Sequence, residues 1–317
     1  AAFNLAKEAQ KYIPKDPQLI KLWPRFSSYV TTSSNPSGAN IYRRDYNSKD
    51  TNWIYIGETP LDSVNVPYGF YKIKITKSGY ETVYDASSSM QLSQRNYLLD
   101  SIGSIPENMV HIPEIRIMIS LPSLTPDESL VISDYLIDKY EVTNKEYKEF
   151  VDAGGYRSIV YWKQPFYRSS IRLSWEEAMT GFVDKTDIPG PSTWEAGIYP
   201  KGEEGYPVSG ISWFEAAAYA EFKGKSLPTY YHWRRAAGLD YRSYLPRMTA
   251  GIDRDWGISF IILNSNLNAT KSAPVGGFPG LAGFGTYDIV GNVREWCWNE
   301  TKPGGKRFIM GGGWNDA

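Results

Sequence analysis

The densest chemistry in the chain stands at residues 285–300, "GTYDIVGNVREWCWNE". Two carboxylates, Asp288 and Glu295, lie seven positions apart across a Gly291-Asn292 break, and Cys297 sits between Trp296 and Trp298. Three kinds of chemistry fit this set. As a thiolate, Cys297 would be a nucleophile or a soft metal ligand. As a pair of carboxylates, Asp288 and Glu295 would instead supply hard oxygens to a metal loop. Alternatively the stretch is a packed corner in which Cys297 is a small buried hydrophobe.

Few other residues compete for a reactive role. The chain has two histidines, His111 and His232. His232 lies beside Trp233 in an arginine-rich stretch and reads as a hydrogen-bonded structural residue. No Ser-His-Asp order, P-loop or Rossmann glycine fingerprint is present. The "GGGW" at 311–314 follows no strand-to-helix pattern, so no phosphate cradle is expected there.

The elements that must position these residues are read from the rest of the chain. At 317 residues it is long enough for a sizeable core and for two domains. With 34 basic and 35 acidic residues the net charge is −1, so no global field favours nucleic acid or an anionic membrane. A single cysteine excludes an intrachain disulfide and leaves the compartment open. The longest apolar run, "ISFIIL", is far too short to span a bilayer. Aromatic residues make up 15% of the chain, which implies much irregular backbone packed by large rings, or else a surface for peptides or sugars. The opening "AAFNLAKEAQ" and closing "GGGWNDA" suggest a piece of something longer.

Residues 1–28 read as a helical tail packing on an upstream region: Phe3, Leu5, Ala6, Ala9, Tyr12 and Ile13 recur at helical spacing until Pro14 and Pro17 interrupt. From 29 to 86 short β-branched and aromatic runs alternate with Pro/Gly turns. In "FYKIKITKSGY" Tyr71, Ile73 and Ile75 face one way and Lys72, Lys74 and Thr76 the other, which predicts a small antiparallel sheet with one buried face. Residues 87–107 are serine-rich and read as a linker. Beyond 108, Thr143/Glu146, Ser174/Glu177 and Ser212/Glu215 predict capping boxes on three short helices, the first ending at Gly154-Gly155. The fold class is therefore α+β.

Residues 29–86 resemble the PEGA domain through Pro36-Ser37-Gly38-Ala39, Gly57-Glu58-Thr59-Pro60-Leu61, Gly69-Phe70-Tyr71 and Gly79-Tyr80-Glu81. That resemblance implies a small antiparallel β-sandwich without chemistry of its own. Residues 108–317 resemble the formylglycine-generating enzyme (sulfatase-modifying factor) family through Glu-Val-Thr-Asn at 141–144, Ser-Trp at 212–213, Leu-Pro-Thr at 227–229 and Gly-Asn-Val-Arg-Glu-Trp at 291–296. It implies a C-type-lectin-like fold with much irregular structure.

The resemblance carries two functional expectations. The family's enzymes hold copper on two cysteines, since Cu(I) takes soft thiolates. The first of these positions falls on Asp316 and the second beyond Ala317, so copper and catalysis are not expected. Cys297 lies outside that alignment. The related sulfoxide synthases take three histidine ligands for iron, which this chain lacks. A structural calcium, by contrast, is implied on Asp288, the carbonyls of Gly291 and Val293, and Glu295. Without it, the two carboxylates would be exposed, or Glu295 would pair with a base such as Arg294. Trp296 and Trp298, on alternate positions after Glu295, are expected to be mostly buried and to fix the loop against the core. A second calcium site is reduced to Asn266 and Leu267 and is expected to be lost.

The variants "LPTYYHWRRAAG", "PGPSTWEAG" and "EWCWNE" further resemble modules of large bacterial proteins in which a Ser/Thr kinase domain, helical repeats and a PEGA domain precede this unit. The expectation is a non-catalytic binding or scaffold module, covalently linked to upstream domains and meeting a protein, peptide or glycan, in a periplasmic or extracytoplasmic setting. The competing expectation is a copper-dependent oxidoreductase whose cysteine pair is lost or lies outside the fragment.

Overall fold

The computed structural model describes all residues except 1, 94, 120–127, 169, 239–255, 303–304 and 317. Of the residues singled out in the sequence, the terminal Ala317 lies outside the described residues. The chain divides into two compact units. The first comprises Ala1–Lys139, Arg235–Leu263 and Leu281–Thr286; the second comprises Tyr140–Arg234, Asn264–Gly280 and Tyr287–Ala317.

The first unit opens with α1 (Ala2–Tyr12) and α2 (Pro17–Leu22), separated where Pro14 and Pro17 break the pattern. Asp16 caps α2 by accepting from the Leu19 N–H at 2.8 Å. Ala6, Leu19 and Trp23 are buried together, while Leu5, Tyr12 and Ile13 remain exposed.

A β-sandwich follows. One sheet has the order β3-β2-β5-β6, built from β2 (Asn40–Asp45), β3 (Ile54–Glu58), β5 (Phe70–Thr76) and β6 (Val83–Ser88), all antiparallel. The other, β4-β1-β7, pairs β1 (Ser27–Asn35) antiparallel with β4 (Leu61–Pro67) and parallel with β7 (Asn96–Leu98). Ile41, Ile73, Ile75, Val30 and Val66 fill the space between the sheets with no more than 1% exposure each. Each such side chain contributes roughly 1.5–3 kcal/mol by leaving water.

Two features depart from the simple alternation. Lys72, expected on the wet face, is buried beside Tyr46, its ammonium 4.9 Å from the ring centroid. Within the serine-rich stretch 87–107, a short helix α3 (Ser89–Leu92) and β7 bring Leu92, Tyr97 and Leu99 into the sandwich core. Their signal is faint in the sequence because isolated apolar residues stand among serines.

Two hairpins complete the described strands of this unit: β8 (Met109–Ile112) with β11 (Tyr135–Asp138), and β9 (Ile115–Ile119) with β10 (Glu128–Ile132). His111 on β8 bonds Asp100 through Nδ1 at 2.9 Å and Asp134 through Nε2 at 3.1 Å. The apolar "ISFIIL" lies in the helix Trp256–Leu263, and among the described residues no helix is long and apolar enough to cross a membrane.

The second unit is held by side chains more than by ladders. All three capping boxes form: Thr143 with Glu146, Ser174 with Glu177 and Ser212 with Glu215. They open α4 (Asn144–Asp152), α5 (Trp175–Met179) and α6 (Trp213–Phe222). Gly154 takes a left-handed φ of 78° just past α4, as a C-cap glycine should. The core is aromatic: Tyr147, Phe150, Tyr156, Trp162, Phe166, Trp194 and Tyr219 are buried against one another. Two strands, β14 (Glu295–Glu300) and β15 (Arg307–Met310), pair antiparallel after the loop singled out in the sequence.

Candidate cation loop

The loop 288–293 is bent by three left-handed residues, Asp288 (φ 55°), Gly291 (φ 84°) and Asn292 (φ 59°). Only glycine fits at 291 for a second reason: an added Cβ would stand 2.6 Å from the Asn266 carbonyl. Asn292 is the hub. Its side-chain oxygen accepts from Asn266 Nδ2 at 3.1 Å and from the Ala273 N–H at 2.8 Å. Its amide nitrogen donates to Glu141 Oε2 at 2.6 Å and to the Ala273 carbonyl at 3.2 Å. With 1% exposure and all four positions used, Asn292 fixes the loop as firmly as a backbone ladder would.

Three carboxylates gather on this scaffold. Asp288, buried at 4% exposure, accepts from the Gly276 N–H. Glu295 accepts from the Trp233 indole N–H through Oε2. Glu141 accepts from the Val293 N–H at 2.9 Å as well as from Asn292. Burial raises all three above the ordinary carboxylate range. Glu295 is pushed up to about 7 by burial and, less strongly, by the charge of Asp288. Glu141 is raised well above its usual value by burial, then by Glu295 and Asp288. Among the described residues Glu295 forms no ion pair with a base. The carboxylates are not exposed, and Arg294 pairs with Asp316 rather than with Glu295.

This donor set suits a hard cation completed by backbone oxygens. Among the described residues no group of three or more His, Cys, Asp or Glu side chains could hold a metal unaided. No hydrogen bond among the described residues reaches the carbonyls of Gly291 and Val293, which leaves these two oxygens available beside the carboxylates. Asn266, the remnant of the second expected site, spends its amide on Asn292 and the Lys271 carbonyl.

Strand β14 settles the positions after Glu295. Cys297 is wholly buried, and its thiol is pushed up to about 12 by burial and by Glu295, which leaves it inert. Trp296 and Trp298, expected to be mostly buried, share the opposite face of the strand. Trp296 is half-buried and donates to the Ile211 carbonyl at 3.1 Å, but Trp298 is 39% exposed, lying on Trp213 at 5.3 Å between ring centroids. His232 bonds the Thr229 hydroxyl through Nδ1, and burial lowers its pKa. Sequence reasoning placed Glu141 and Asn292 within motifs but gave neither a bonding role at the loop; Glu141 stands two residues before the Thr143 cap.

By the resemblance, Asp316 is the residue expected at the first copper-cysteine position. Its carboxylate is engaged by the Arg294 guanidinium and by the Gly313 N–H at 2.8 Å, and both hold it below the usual range.

Comparison with known families gives residues 101–317 as a sulfatase-modifying factor enzyme 1-like domain and residues 27–88 as a PEGA domain. The chain belongs to the sulfatase-modifying factor family. It is 28% identical over 247 residues to the inactive C-alpha-formylglycine-generating enzyme 2 of Mus musculus, covering 66% of this chain and 75% of the relative. With the formylglycine-generating enzyme of Thermomonospora curvata it shares 33% identity over 193 residues, 54% of this chain and 62% of that protein. A hercynine oxygenase of Mycolicibacterium smegmatis is 30% identical over 198 residues, 58% of this chain but 41% of its own length. The last two are thus matched over less than two thirds of their length, while the fold of the sulfatase-modifying factor family is shared with both active and inactive members.

Proposed function

We propose that the sulfatase-modifying-factor part of this chain is a non-catalytic binding or scaffold module, closed by a structural calcium ion. The observation that carries the reading is Asp316. The family's copper requires a pair of cysteines, and one of the two positions here holds a hard carboxylate already paired with Arg294. Cys297 is no substitute, being buried and held as the thiol. A relative named inactive stands among the similar proteins, which supports the same reading.

Asp288 and Glu295 would hold calcium with the carbonyls of Gly291 and Val293, and Glu141 would add negative charge from behind the loop. The ion would supply the positive charge that three clustered carboxylates, Asp288 buried and Glu141 and Glu295 partly so, otherwise lack. The lectin-like form of the domain and the kinase-type multidomain setting belong to this proposal as implications of the resemblance.

The test of inactivity is direct. The chain is incubated with Cu(I), oxygen and a cysteine-containing sulfatase-motif peptide, and the peptide is weighed by mass spectrometry. No formylglycine above background is expected. Turnover would overturn the reading in favour of a copper oxidoreductase.

A further inference from the structure

The outer face of the sheet β3-β2-β5-β6 carries a cluster of cations held against aromatic rings. Arg44 lies over Trp53 at 4.9 Å, and Lys74 stands 4.8 Å from the Tyr42 ring and 4.9 Å from Trp53. Lys72, the cross-strand partner of Arg44, lies on the same face but is buried at Tyr46, where Phe260 packs on Phe70 and Tyr46, and takes no part in the exposed cluster. Among the described residues neither Arg44 nor Lys74 has an ion-pair partner, and the buried Arg44 Nε donates to nothing. Asp45 turns to the other face beside Arg43, and Asp85 is buried on the core side. The carboxylate in register with this face is Glu58, opposite Asn40 at its far end. Burial first, and then the Arg44 charge, lower the Lys72 pKa to about 8. Around the cations the rings of Tyr55 (52%) and Tyr84 (37%) are exposed.

We propose that this sheet face binds an acidic polysaccharide, a chain of carboxylate-bearing sugars. Such a ligand uses both features at once: its carboxylates meet Arg44 and Lys74, while the apolar C–H faces of its sugar rings lie on Tyr55 and Tyr84. A single-stranded nucleic acid fits less well, because the faces of Trp53 and Tyr42 that would stack bases are covered by the cations. An acidic peptide would meet the cations but would find no backbone partners on a face made of side chains.

Calorimetric titration of the full chain with an oligogalacturonate of ten sugars tests this, with a neutral glucan of equal length, a ten-residue polyglutamate and a ten-nucleotide oligothymidylate as comparisons. Oligogalacturonate should bind most tightly and weaken as salt rises. Arg44→Gln with Lys74→Gln should weaken it at least about tenfold. Tyr55→Ala with Tyr84→Ala, which keeps the cations, should weaken the sugar chain several-fold and leave polyglutamate unchanged. Circular dichroism establishes that each variant is folded. Equal or tighter binding of polyglutamate, the oligonucleotide or the neutral glucan would overturn the proposal, as would no heat from oligogalacturonate at millimolar concentration.

Discussion

The β-sandwich and the loop-built second unit solve the same problem with different materials. In the sandwich, backbone groups are satisfied by ladders and the interior is mainly aliphatic around Ile41, Ile73 and Ile75, with few polar bonds such as that of Tyr97 to the buried Asp85. In the second unit the backbone is irregular, and buried side chains take over the role of the ladder. Asp184 alone receives the N–H groups of Thr186, Ile188 and Gly197, and Glu215 serves both the Ser212 N–H and the Tyr156 hydroxyl. The difference teaches where each unit is fragile. A sandwich core tolerates small changes of volume, whereas a core stitched by polar side chains fails when one stitch leaves a buried partner unpaired.

The sharpest way to break that contrast is a pair of conservative substitutions. Trp194→Phe removes the indole N–H that donates to Asn144 Oδ1 at 3.0 Å and leaves a buried amide oxygen alone. It should cost about 2–4 kcal/mol in urea unfolding, whereas Ile73→Val in the sandwich should cost about 0.5–1.5 kcal/mol. Equal losses would erase the distinction.

A smaller effect sharpens it within the second unit. Ser212→Ala removes the cap of α6 beside the buried Glu215 and should cost about 1–2 kcal/mol, against about 0.5–1 kcal/mol for Ser174→Ala in the exposed box of α5. If Ser174→Ala proves the more costly, burial is not what makes these caps matter.

The smallest effect lies in the first unit and depends on pH. Burial alone would lower the His111 pKa, but its hydrogen bonds to Asp100 and Asp134 and their charges outweigh this and raise it above 6.5. Because the folded value is raised, the stabilisation is complete below about pH 6.5 and is lost as pH climbs through the folded value. Asp100→Asn should therefore lower stability at pH 6 by about 1 kcal/mol or less and hardly change it at pH 9. A loss equal at both pH values would assign Asp100 a purely structural role.

How much of this was legible in the sequence follows the same division. Capping boxes are local, so Thr143, Ser174 and Ser212 announced their helices three residues ahead. The sheet alternation of β5 was equally plain, apart from Lys72, whose burial depends on Tyr46 arriving from another part of the chain. Asp288 and Glu295 could be named because a single short motif holds them. Glu141 could not, since it lies about 150 positions away and meets the loop through bonds to Asn292 and Val293. The exposure of Trp298 was hidden for another reason: a sequence shows that two tryptophans share a strand face but not how far that face is covered.

The central proposal is that calcium, held by Asp288, Glu295 and the carbonyls of Gly291 and Val293, closes the loop of the second unit. Thermal unfolding of the chain and of Asp288→Asn, each in calcium and in chelator, tests it most directly. At a hundred times its dissociation constant, calcium bound to the folded state adds about 2.7 kcal/mol and should raise the melting temperature by about 5–10 °C. Asp288→Asn should lose that response and, by relieving repulsion among the buried carboxylates, melt no lower than the parent chain in chelator. Coincident parent curves with and without calcium, or an undiminished calcium response in Asp288→Asn, would contradict the account.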